Sequence, residues 1–400
     1  MQKKHKKKVI IFLSQPIDKR NATRFGYYSL KKNFDVKIYD LSSIFNSEIK
    51  RVYKKNLVKD LIDNKNFFEL SNYFQIFKLF KECKESYFID CTTYKSFFFG
   101  LLQRYAILNK STKVHISNSI LPKKIHFSKR EKLTNLLKEK GILSKSLIEF
   151  VFNYLKLRFI NFLYPVAHFA FIAGLKEKNN YSKKTKIILS HSFDYDFFLK
   201  ENRKKLLLKK NKFAIFIECI MFGHPELTIA NIDSDKIEEK EKKYFSDLKV
   251  FFHNIYINLH IDIVIALHPR TNAHYKKKIK NFFHERYFKV VDNQTPKYIK
   301  NSSLVISHNS NAIQLAILWK KPIIFCHHGE MRTYIKKYIL GLASELKKKS
   351  FDLGNDKFSN LKFFFSVTDS HYNSYIKNYI QSSKKSKRLS WDNFSDIFKD

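Results

Sequence analysis

Residues 304–326 read LVISHNSNAIQLAILWKKPIIFC and contain a complete strand–helix–strand pattern. A short apolar run ends at Ser307, a polar turn follows it, and a second apolar run begins after Pro322. Between the two runs lies an apolar helical segment from Ala312 to Trp319. Because parallel strands need a crossover connection of this kind, the stretch predicts a βαβ unit of a parallel sheet.

The same alternation of strands and helices extends along the whole chain. In the second half, further strands are predicted at Phe213–Glu218, Ile261–Leu267 and Phe288–Val291. The strands predicted in the first half are Lys8–Ser14, Val36–Tyr39, Tyr87–Cys91, Val114–Ser117, His168–Ala173 and Lys186–Ser190. The pattern predicts the α/β class, with two Rossmann-like doubly wound domains that face a cleft.

The length of the chain also favours two domains, since 400 residues exceed what one hydrophobic core usually organises. A Lys-rich segment at 204–212 lies between the two series of strands and predicts the boundary. We therefore expect a first domain at 1–205 and a second at 206–400. The first domain includes a mostly helical insertion at 121–165.

The chain is strongly basic, with 76 Lys and Arg residues against 36 Asp and Glu residues and a formal net charge of +40. These bases are spread over the whole chain and accompany no nucleic-acid-binding motif, so we expect no nucleic-acid partner. We expect instead attraction to polyanionic glycans or peripheral association with anionic membrane. The segment Leu147–Leu163 offers an amphipathic aromatic surface for that contact, although a helix packed in a core is the simpler interpretation.

The sequence shows few features that indicate a cellular location or disulfide bonds. No stretch reaches the ~20 uninterrupted apolar residues needed to cross a bilayer. The apolar run Val9–Leu13 is too short for the core of a signal peptide and predicts a buried strand. The four cysteines, Cys83, Cys91, Cys219 and Cys326, lack the spacing of a zinc site and fit a reduced setting. We expect a cytoplasmic protein that is peripheral on the inner face of the cytoplasmic membrane.

The most specific motif is His268-Pro269-Arg270, which follows the strand at Ile261–Leu267. Proline ends the strand and fixes the turn, so the imidazole and the guanidinium stand at its tip. A guanidinium can bind a phosphate through two hydrogen bonds. The motif predicts a phosphate-binding turn, with a solvated turn as the alternative.

A second polar turn, Ser307-His308-Asn309-Ser310-Asn311, follows the strand that opens the stretch at 304–326. Ser and Asn are common N-caps, so capping of the next helix explains part of this sequence. The first N–H groups of that helix, with the hydroxyls of Ser307 and Ser310, also suit a phosphate or diphosphate. The two interpretations are compatible.

A third turn lies in residues 213–226, which read FAIFIECIMFGHPE. This segment places Glu218 at a strand end and His224 and Glu226 in the following loop. A carboxylate at a strand tip can act as a general base that takes a proton from a hydroxyl. We name Glu218 as the base and His224 and Glu226 as the next candidates. A capping or surface carboxylate is the alternative for Glu218.

In the first half, the segment SHSFDYD at 190–196 places His191, Ser192 and Asp194 after a strand. These residues predict contacts to an acceptor, to the cleft or within a hinge. The Ser, His and Asp content suggests a hydrolase triad, but neighbours on one turn cannot adopt that geometry and no GxSxG motif is present.

Several other motifs are absent from the sequence. It contains neither GxGxxG nor GxxxxGK[ST], which argues against a dehydrogenase and a P-loop enzyme. Asp194-Tyr195-Asp196 and Asp233-Ser234-Asp235 match a metal-binding Asp-x-Asp pattern only formally, in a turn and at a helix start. We therefore expect no metal and no cofactor, with bound phosphates neutralised by Arg270, helix dipoles and hydroxyls.

Together, His268-Pro269-Arg270 and the turn at 307–311, followed by AIQLAILWKKPIIF, resemble the C-terminal half of GT-B glycosyltransferases of bacterial surface-polysaccharide synthesis. In style they most resemble bacterial sialyltransferases and polysialyltransferases, whose HP and serine motifs surround a CMP-sugar. The segments at 8–30, 188–196 and 216–227 look like proteins of capsule and O-antigen gene clusters. The sequence departs from the sialyltransferases because it lacks their base motif, a pair of acids followed by Gly.

The resemblance implies a glycosyltransferase that moves a sugar from a CMP- or UDP-sugar to a surface glycan such as capsule, O-antigen or lipooligosaccharide. It implies an acceptor-side domain at 1–205 and a donor domain at 206–400, with donor contacts at 268–270 and 307–311. Three alternatives stay open: a nucleotide-sugar 2-epimerase, a glycerol-phosphate-type polymer transferase, and a non-catalytic GT-B-like scaffold in polysaccharide assembly.

Overall fold

The computed structural model describes residues 6–14, 19–45, 65–92, 95–116, 122, 155, 158–203, 212–222, 234–269, 271–358, 367–381 and 388–399. Within these ranges the chain forms two parallel sheets, of seven and six strands, with helices between the strands. None of the described helices is both long and apolar enough to cross a membrane.

The first sheet consists of seven parallel strands in the spatial order β3-β2-β1-β4-β5-β6-β7. Their bounds are β1 Lys8–Leu13, β2 Asp35–Asp40, β3 Phe67–Glu69, β4 Ser86–Cys91, β5 Thr112–Ile116, β6 Phe169–Ile172 and β7 Lys186–Leu189. In register, Ile11 of β1 lies opposite Ile38 of β2 and Ile89 of β4. The strand order reverses between β1 and β4, as in a doubly wound sheet.

Both faces of the first sheet are covered, which explains the unbroken apolar run in β1. Val9 and Ile11 belong to one core cluster, and Ile10 and Phe12 belong to a second cluster on the opposite face. A strand buried on both faces loses the usual alternation of polar and apolar residues. The helices of this half are α1 Lys19–Arg24, α2 Tyr27–Leu30, α3 Ser42–Phe45, α4 Tyr73–Glu82 and α5 Phe97–Leu108.

The second sheet consists of six parallel strands in the order β10-β9-β8-β11-β12-β13. Their bounds are β8 Phe213–Ile217, β9 Asp262–Ala266, β10 Phe288–Val291, β11 Leu304–Ser307, β12 Ile323–His327 and β13 Ser350–Asp352. The helices of this half are α6 Phe193–Asn202, α7 Ser234–Leu259, α8 Ala273–Phe282, α9 Thr295–Asn301, α10 Ile313–Leu318, α11 Thr333–Glu345, α12 Asp369–Tyr375 and α13 Ser390–Phe398. The strand order again reverses beside the first strand, between β8 and β11.

The chain passes between the two sheets twice, and the two crossings touch. His191 forms an isolated antiparallel bridge with Gln381, and the N–H of Ser192 donates to the carbonyl of Ile380 at 2.8 Å. Gly174, just after β6, also meets the returning chain: a Cβ at this position would lie 1.9 Å from the carbonyl oxygen of Asn378. Main-chain contacts therefore hold residues 378–381, where the chain returns to the first sheet, against Gly174 and residues 191–192.

The last helix, α13, completes the core of the first sheet. Trp391, Phe394 and Phe398 are buried in the same cluster as Val9 and Ile11 of β1. The sequence placed this helix in a domain at 206–400, whereas its packing joins it to the strands of the first half. The division of the chain at 205/206 stays a prediction.

Two strands were not predicted from the sequence, β3 and β13. Each has only three residues, FFE and SFD, which are too few to show a periodic pattern. Most of the predicted insertion at 121–165 lies outside the described residues, and within it residues 158–163 are helical.

We predict that Gly26→Ala destabilises the protein because Gly26 combines a left-handed backbone with a close approach. Its φ is +79°, and a Cβ there would lie 2.1 Å from the ring of Trp391. Strain and overpacking together should lower the free energy of unfolding by about 2 kcal/mol or more, measured by urea denaturation.

The matched control is Gly329→Ala, because a Cβ at Gly329 meets nothing within 4 Å. This variant should change the free energy of unfolding by less than about 0.5 kcal/mol. Equal stabilities of the two variants would contradict the packing of α13 on Gly26.

Candidate functional site

Three of the predicted polar turns lie side by side at the carboxyl edge of the second sheet. β8 lies between β9 and β11, with Ile217 opposite Ala266 on one side and Ser307 on the other. Glu218, His268 and the turn that begins at Ser307 therefore leave three adjacent strands at one edge. The strand order reverses between β8 and β11, which is where doubly wound sheets bind ligands.

Glu218, the first residue after β8, is a buried carboxylic acid. Glu241 on α7 and Tyr275 on α8 lie close enough to interact electrostatically with it. Oε1 accepts a hydrogen bond from the N–H of Ile220, and Oε2 is buried without a partner among the described residues. Burial raises the pKa of Glu218 to about 7, although the N–H groups of Ile220 and His268 lower it in part. At neutral pH both protonation states are populated.

Glu218 differs in this respect from the other buried carboxylate nearby. Glu241 is only 5% exposed, and its Oε2 forms an ion pair with Lys278 of α8. This ion pair occupies the carboxylate of Glu241 within the protein. Of these two neighbours, Glu218 is the one whose chemistry suits proton transfer.

Several other polar atoms are buried in the same loops without a partner among the described residues. They are Ser307 Oγ at the end of β11, Thr271 Oγ1 after β9, and the hydroxyl of Tyr275 on α8. A buried polar group without a hydrogen bond costs about 1–3 kcal/mol, so such groups are uncommon except where a ligand or catalysis uses them. All three belong to elements at this edge of the second sheet, which indicates a site for a polar ligand.

His308 occupies the interior of this edge and not its surface. The imidazole is fully buried, with Nδ1 2.6 Å from the carbonyl oxygen of Cys326 and Nε2 2.7 Å from the hydroxyl of Tyr244. Burial lowers the pKa of His308 to about 4, so the ring is neutral. It donates from Nδ1 and accepts at Nε2. Both nitrogens are engaged by the protein, so His308 positions the turn and does not present a nitrogen to a ligand.

The rest of this turn lies nearer to solvent. Asn309 and Ser310 are half-buried and Asn311 is exposed. Ser310 Oγ accepts a hydrogen bond from the N–H of Ala312 at 3.3 Å, which is the capping role considered from the sequence. The polar side chains of 309–311 are thus placed at the surface of the edge, above the buried Ser307.

The turn after β9 is also open to solvent. His268 is half-buried, Pro269 is exposed, and the N–H of Thr271 donates to the carbonyl of His268 at 2.9 Å. Arg270 lies outside the described residues, and so do His224 and Glu226. Their predicted roles in donor binding and proton transfer stay predictions.

The segment at 190–196 lies at the crossing between the sheets. His191 Nε2 is 2.7 Å from the carbonyl oxygen of Arg388, and its Nδ1 is 3.2 Å from Ser390 Oγ. Ser192 Oγ donates to Oε1 of Gln314 in α10 at 2.8 Å. Of the interpretations left open by the sequence, these contacts favour a hinge. Asp194 is half-buried in the first turn of α6.

In the pattern Asp194-Tyr195-Asp196, the carboxylate of Asp196 is hydrogen-bonded within the protein. Asp196 Oδ1 accepts a hydrogen bond from the N–H of Ser390 at 3.0 Å. Asp233 of the second pattern lies outside the described residues. Over the described ranges, no group of three or more His, Cys, Asp or Glu side chains is arranged to hold a metal ion.

Sequence reasoning missed two histidines at the same edge, His327 and His328, which follow the apolar run of β12. His328 Nε2 is 2.9 Å from Oδ2 of Asp247 on α7, and His327 Nδ1 is 2.9 Å from Ser350 Oγ. Burial lowers the pKa of His327. The sequence does contain a signal for these two histidines, because FCHHGE at 325–330 places polar residues at the end of an apolar run, as in the other three turns.

A polar network at the corresponding edge of the first sheet was also missed. Asp90, near the end of β4, accepts hydrogen bonds from Gln103 Nε2 at 2.7 Å and from the N–H of Thr92 at 3.0 Å. Lys113 donates to Gln103 Oε1 at 2.6 Å, and burial lowers the pKa of Lys113. No short motif marks this network, because its members come from three separate elements.

Comparison with known proteins supports the architecture. Neither a protein-family model nor a curated protein matches the sequence. Among solved structures, the chain is similar to a putative UDP-N-acetylglucosamine 2-epimerase from Listeria monocytogenes, with 8% identity over 99% of this chain and 97% of that chain and a TM-score of 0.52. It is also similar to the S. aureus MnaA–UDP co-structure, with 9% identity over 98% and 96% of the two chains and a TM-score of 0.50.

A third similar structure is that of MurG from Acinetobacter baumannii, with 10% identity over 98% of this chain and 99% of that chain and a TM-score of 0.46. At identities this low, a structural likeness shows the fold alone. The fold predicted from the sequence, two Rossmann-like doubly wound units of GT-B type, is confirmed. The narrower resemblance to sialyltransferases stays an expectation.

We predict that Ser307→Ala makes the ligand-free protein more stable. The substitution removes a buried hydroxyl that has no partner among the described residues, which should raise the free energy of unfolding by about 1 kcal/mol. Urea denaturation without ligand measures the change.

The control is Ser302→Ala, because Ser302 is equally buried but its Oγ donates to the carbonyl of Ile299 at 3.0 Å. Loss of that bond should lower the free energy of unfolding by about 1 kcal/mol. Changes of the same sign in both variants would show that Ser307 does have a hydrogen-bond partner in the free protein.

Proposed function

We propose that this protein is a glycosyltransferase that moves a sugar from a nucleotide-sugar donor to a glycan acceptor, with the donor nucleotide at the carboxyl edge of the second sheet. The observation that carries the proposal is the convergence of Glu218, His268 and Ser307 where the strand order reverses. Three adjacent strands thus lead to a carboxyl group with a pKa of about 7, a half-buried imidazole and a buried hydroxyl that has no partner among the described residues.

The loops at this edge suit the phosphates of a nucleotide. The hydroxyl of Ser307 can donate to a phosphate oxygen, since no described residue occupies it. The imidazole of His268 lies in an open turn that Pro269 shapes, and the sequence continues with Arg270. Charged and hydroxyl donors of this kind are the usual partners of phosphate oxygens. The S. aureus structure with a similar fold contains UDP, which supports a nucleotide ligand here.

The resemblance to sialyltransferases favours a CMP-sugar as donor, and the structural neighbours favour a UDP-sugar. Both donors present a phosphate next to the anomeric carbon, so the loops at 268–271 and 307–311 can serve either one. The acceptor class implied by the resemblance is a bacterial surface glycan, at the side of the first sheet. Hydroxyl acceptors of this class need a base to remove one proton as the glycosidic bond forms.

The choice between transfer and epimerisation depends on the number of acid–base groups. Inverting transfer needs one base, whereas epimerisation at a carbon needs a proton removed from one face and returned to the other. In the described part of this edge, Glu218 has an oxygen without a partner, while Glu241 is tied to Lys278. Glu218 can therefore supply the single base that transfer needs.

The second candidate function is nucleotide-sugar 2-epimerisation. It is favoured by the similar structure from Listeria monocytogenes, which is described as a putative UDP-N-acetylglucosamine 2-epimerase. Incubation with CMP- and UDP-sugars, with and without glycan acceptors, separates the two functions. Transfer should release free nucleotide in proportion to acceptor. A sugar inverted at C2 and still attached to its nucleotide would replace the transferase proposal by the epimerase.

We predict that Glu218→Gln lowers the rate of transfer by a factor of roughly 10²–10⁴. Glutamine keeps the shape and can still accept the hydrogen bond from Ile220, but it cannot take a proton. Donor affinity, measured by isothermal calorimetry, should stay within about threefold of the wild type, because the substitution leaves the phosphate-binding loops in place.

The pH profile gives a second readout. Since the pKa of Glu218 is about 7, the base form grows as pH rises through 7, and the wild-type rate should rise with it. The Gln variant should lack this rise. Near-normal turnover of Glu218→Gln, with the same pH profile, would leave Glu218 only the role of holding the turn at Ile220.

A further inference from the structure

Six aromatic side chains on helices of the first sheet form one exposed surface, which we name the aromatic patch. They are Tyr73, Phe74 and Phe77 of α4, Phe97 of α5, and Phe159 and Phe162 of the helical residues 158–163. Phe74 is 81% exposed and Phe162 is 71% exposed. Single exposed apolar residues are common, whereas a cluster of large ones marks a surface with an apolar partner.

Ring contacts, several of them through Phe98, connect four of the six members of the patch: Tyr73, Phe77, Phe97 and Phe159. Phe97 stacks on Phe159 with ring centroids 6.1 Å apart. Phe98, the neighbour of Phe97 in α5, lies 5.2 Å from the ring of Tyr73 and 5.8 Å from that of Phe77. Three helical segments thus share one aromatic surface.

The segment that carries Phe159 and Phe162 is fixed by close packing on α5. Gly100 allows the approach, since a Cβ there would lie 2.9 Å from Cβ of Leu163. Arg104 Nε donates to the carbonyl of Leu163 at 2.9 Å, and its guanidinium lies 4.8 Å from the ring centroid of Phe162. Contacts with α5 therefore fix the position of the segment that carries Phe159 and Phe162, in addition to the contacts between the rings.

The charges around the aromatic patch are almost all basic. Within 71–82, 95–108 and 158–166 the one acidic residue is Glu82, whose carboxylate binds Lys37 at 2.6 Å. The basic residues of these segments are Lys78, Lys81, Lys95, Arg104 and Arg158. A partner complementary to this surface is apolar at its centre and negatively charged around it.

We propose that the aromatic patch docks the protein on an anionic lipid bilayer. Aromatic rings and the long stems of Lys and Arg favour the boundary between headgroups and acyl chains. The rings would enter that boundary while Lys78 and Lys81 face the lipid phosphates. Binding of this type grows with buried apolar area and with attraction to anionic headgroups.

The helices that carry the rings are convex surfaces, which favours a lipid surface over single-stranded nucleic acid. Proteins that stack nucleic-acid bases usually place their rings along a basic groove that follows the backbone. Here Phe74 and Phe162 project outward from separate helices, and Arg104 is committed to the carbonyl of Leu163. A flat, deformable partner fits such a surface better than a single strand.

The aromatic patch adjoins the carboxyl edge of the first sheet. α4 begins beyond the carboxyl end of β3 and α5 beyond that of β4, so Tyr73, Phe74 and Phe97 lie at this end of their helices. A bilayer bound there lies beside the loops at the carboxyl edge of the first sheet, the side on which the proposed function places the acceptor. An acceptor anchored in lipid could reach the site from the membrane, a step that rests on the proposed function.

Vesicle co-sedimentation of the full chain tests the docking. The wild type should bind vesicles that contain phosphatidylglycerol and should bind pure phosphatidylcholine vesicles at least tenfold more weakly, with release at high salt. Phe74→Ser/Phe162→Ser should lose at least about tenfold in affinity, since two rings no longer enter the lipid. The control Phe197→Ser, which changes a 46% exposed ring on α6 outside the patch, should bind as the wild type does.

A matched pair of charge variants tests the orientation. Lys78→Gln/Lys81→Gln, in α4, should weaken binding by roughly 25-fold, or about fivefold for each base held near the lipid. Lys277→Gln/Lys280→Gln removes two exposed bases with the same spacing from α8, far from the patch, and should change affinity by less than about twofold. All variants change exposed residues, so thermal melts should match the wild type.

Several outcomes would overturn the docking proposal. They include no binding of the wild type to anionic vesicles, and equal losses in the two lysine pairs. A concentration-dependent dimer that Phe74→Ser/Phe162→Ser abolishes would assign the patch to a second copy of the chain. Tighter binding to a single-stranded oligonucleotide, lost in the same variant, would assign it to nucleic acid. None of these measurements involves a nucleotide sugar, so they are independent of the proposed reaction.

Discussion

The parallel direction of the strands in both sheets is the constraint on which the rest of the structure depends. It gathers the carboxyl ends of each sheet at a single edge and obliges every connection to return over a face. The reversal of strand order at β8 and β11 then separates the neighbouring connections and leaves an open position. Glu218 and Ser307, which are 89 positions apart in the chain, lie at the ends of adjacent strands only because of that topology.

The buried hydrogen bonds of His308 show how the edge is kept rigid. The ring joins the turn after β11 to the carbonyl of Cys326 in β12 and to Tyr244 in α7. Loss of one buried partner leaves the other unsatisfied, at a cost of about 1–3 kcal/mol. The turn therefore has one favoured arrangement, and the stability lost by burying Ser307 Oγ without a bond is offset by these contacts. A site that pre-positions its polar atoms binds without reordering them.

The fold could be predicted from the sequence because its central strands are buried on both faces. The runs Val9–Leu13, Phe213–Ile217 and Ile323–Cys326 are apolar throughout, and polar residues follow them. β3 and β13 have three residues each and carry no such signal. The packing of α13 on the first sheet could not be predicted either. Its amphipathic pattern shows that one face of the helix is buried, but it does not show which sheet covers that face.

The positions of the site residues were predictable, but their local environments were not. A polar residue just beyond a strand is visible in the sequence, which located Glu218, His268 and the turn at 307–311. Whether a side chain turns inward depends on partners far away in the chain. Tyr244, which engages His308, lies 64 positions earlier. For the same reason a net charge of +40 identifies no partner by itself. Two lysines of α8, Lys276 and Lys278, pair with Asp292 and Glu241. Lys78 and Lys81 instead flank exposed rings, and this combination of charge and apolar surface specifies the chemistry of the partner.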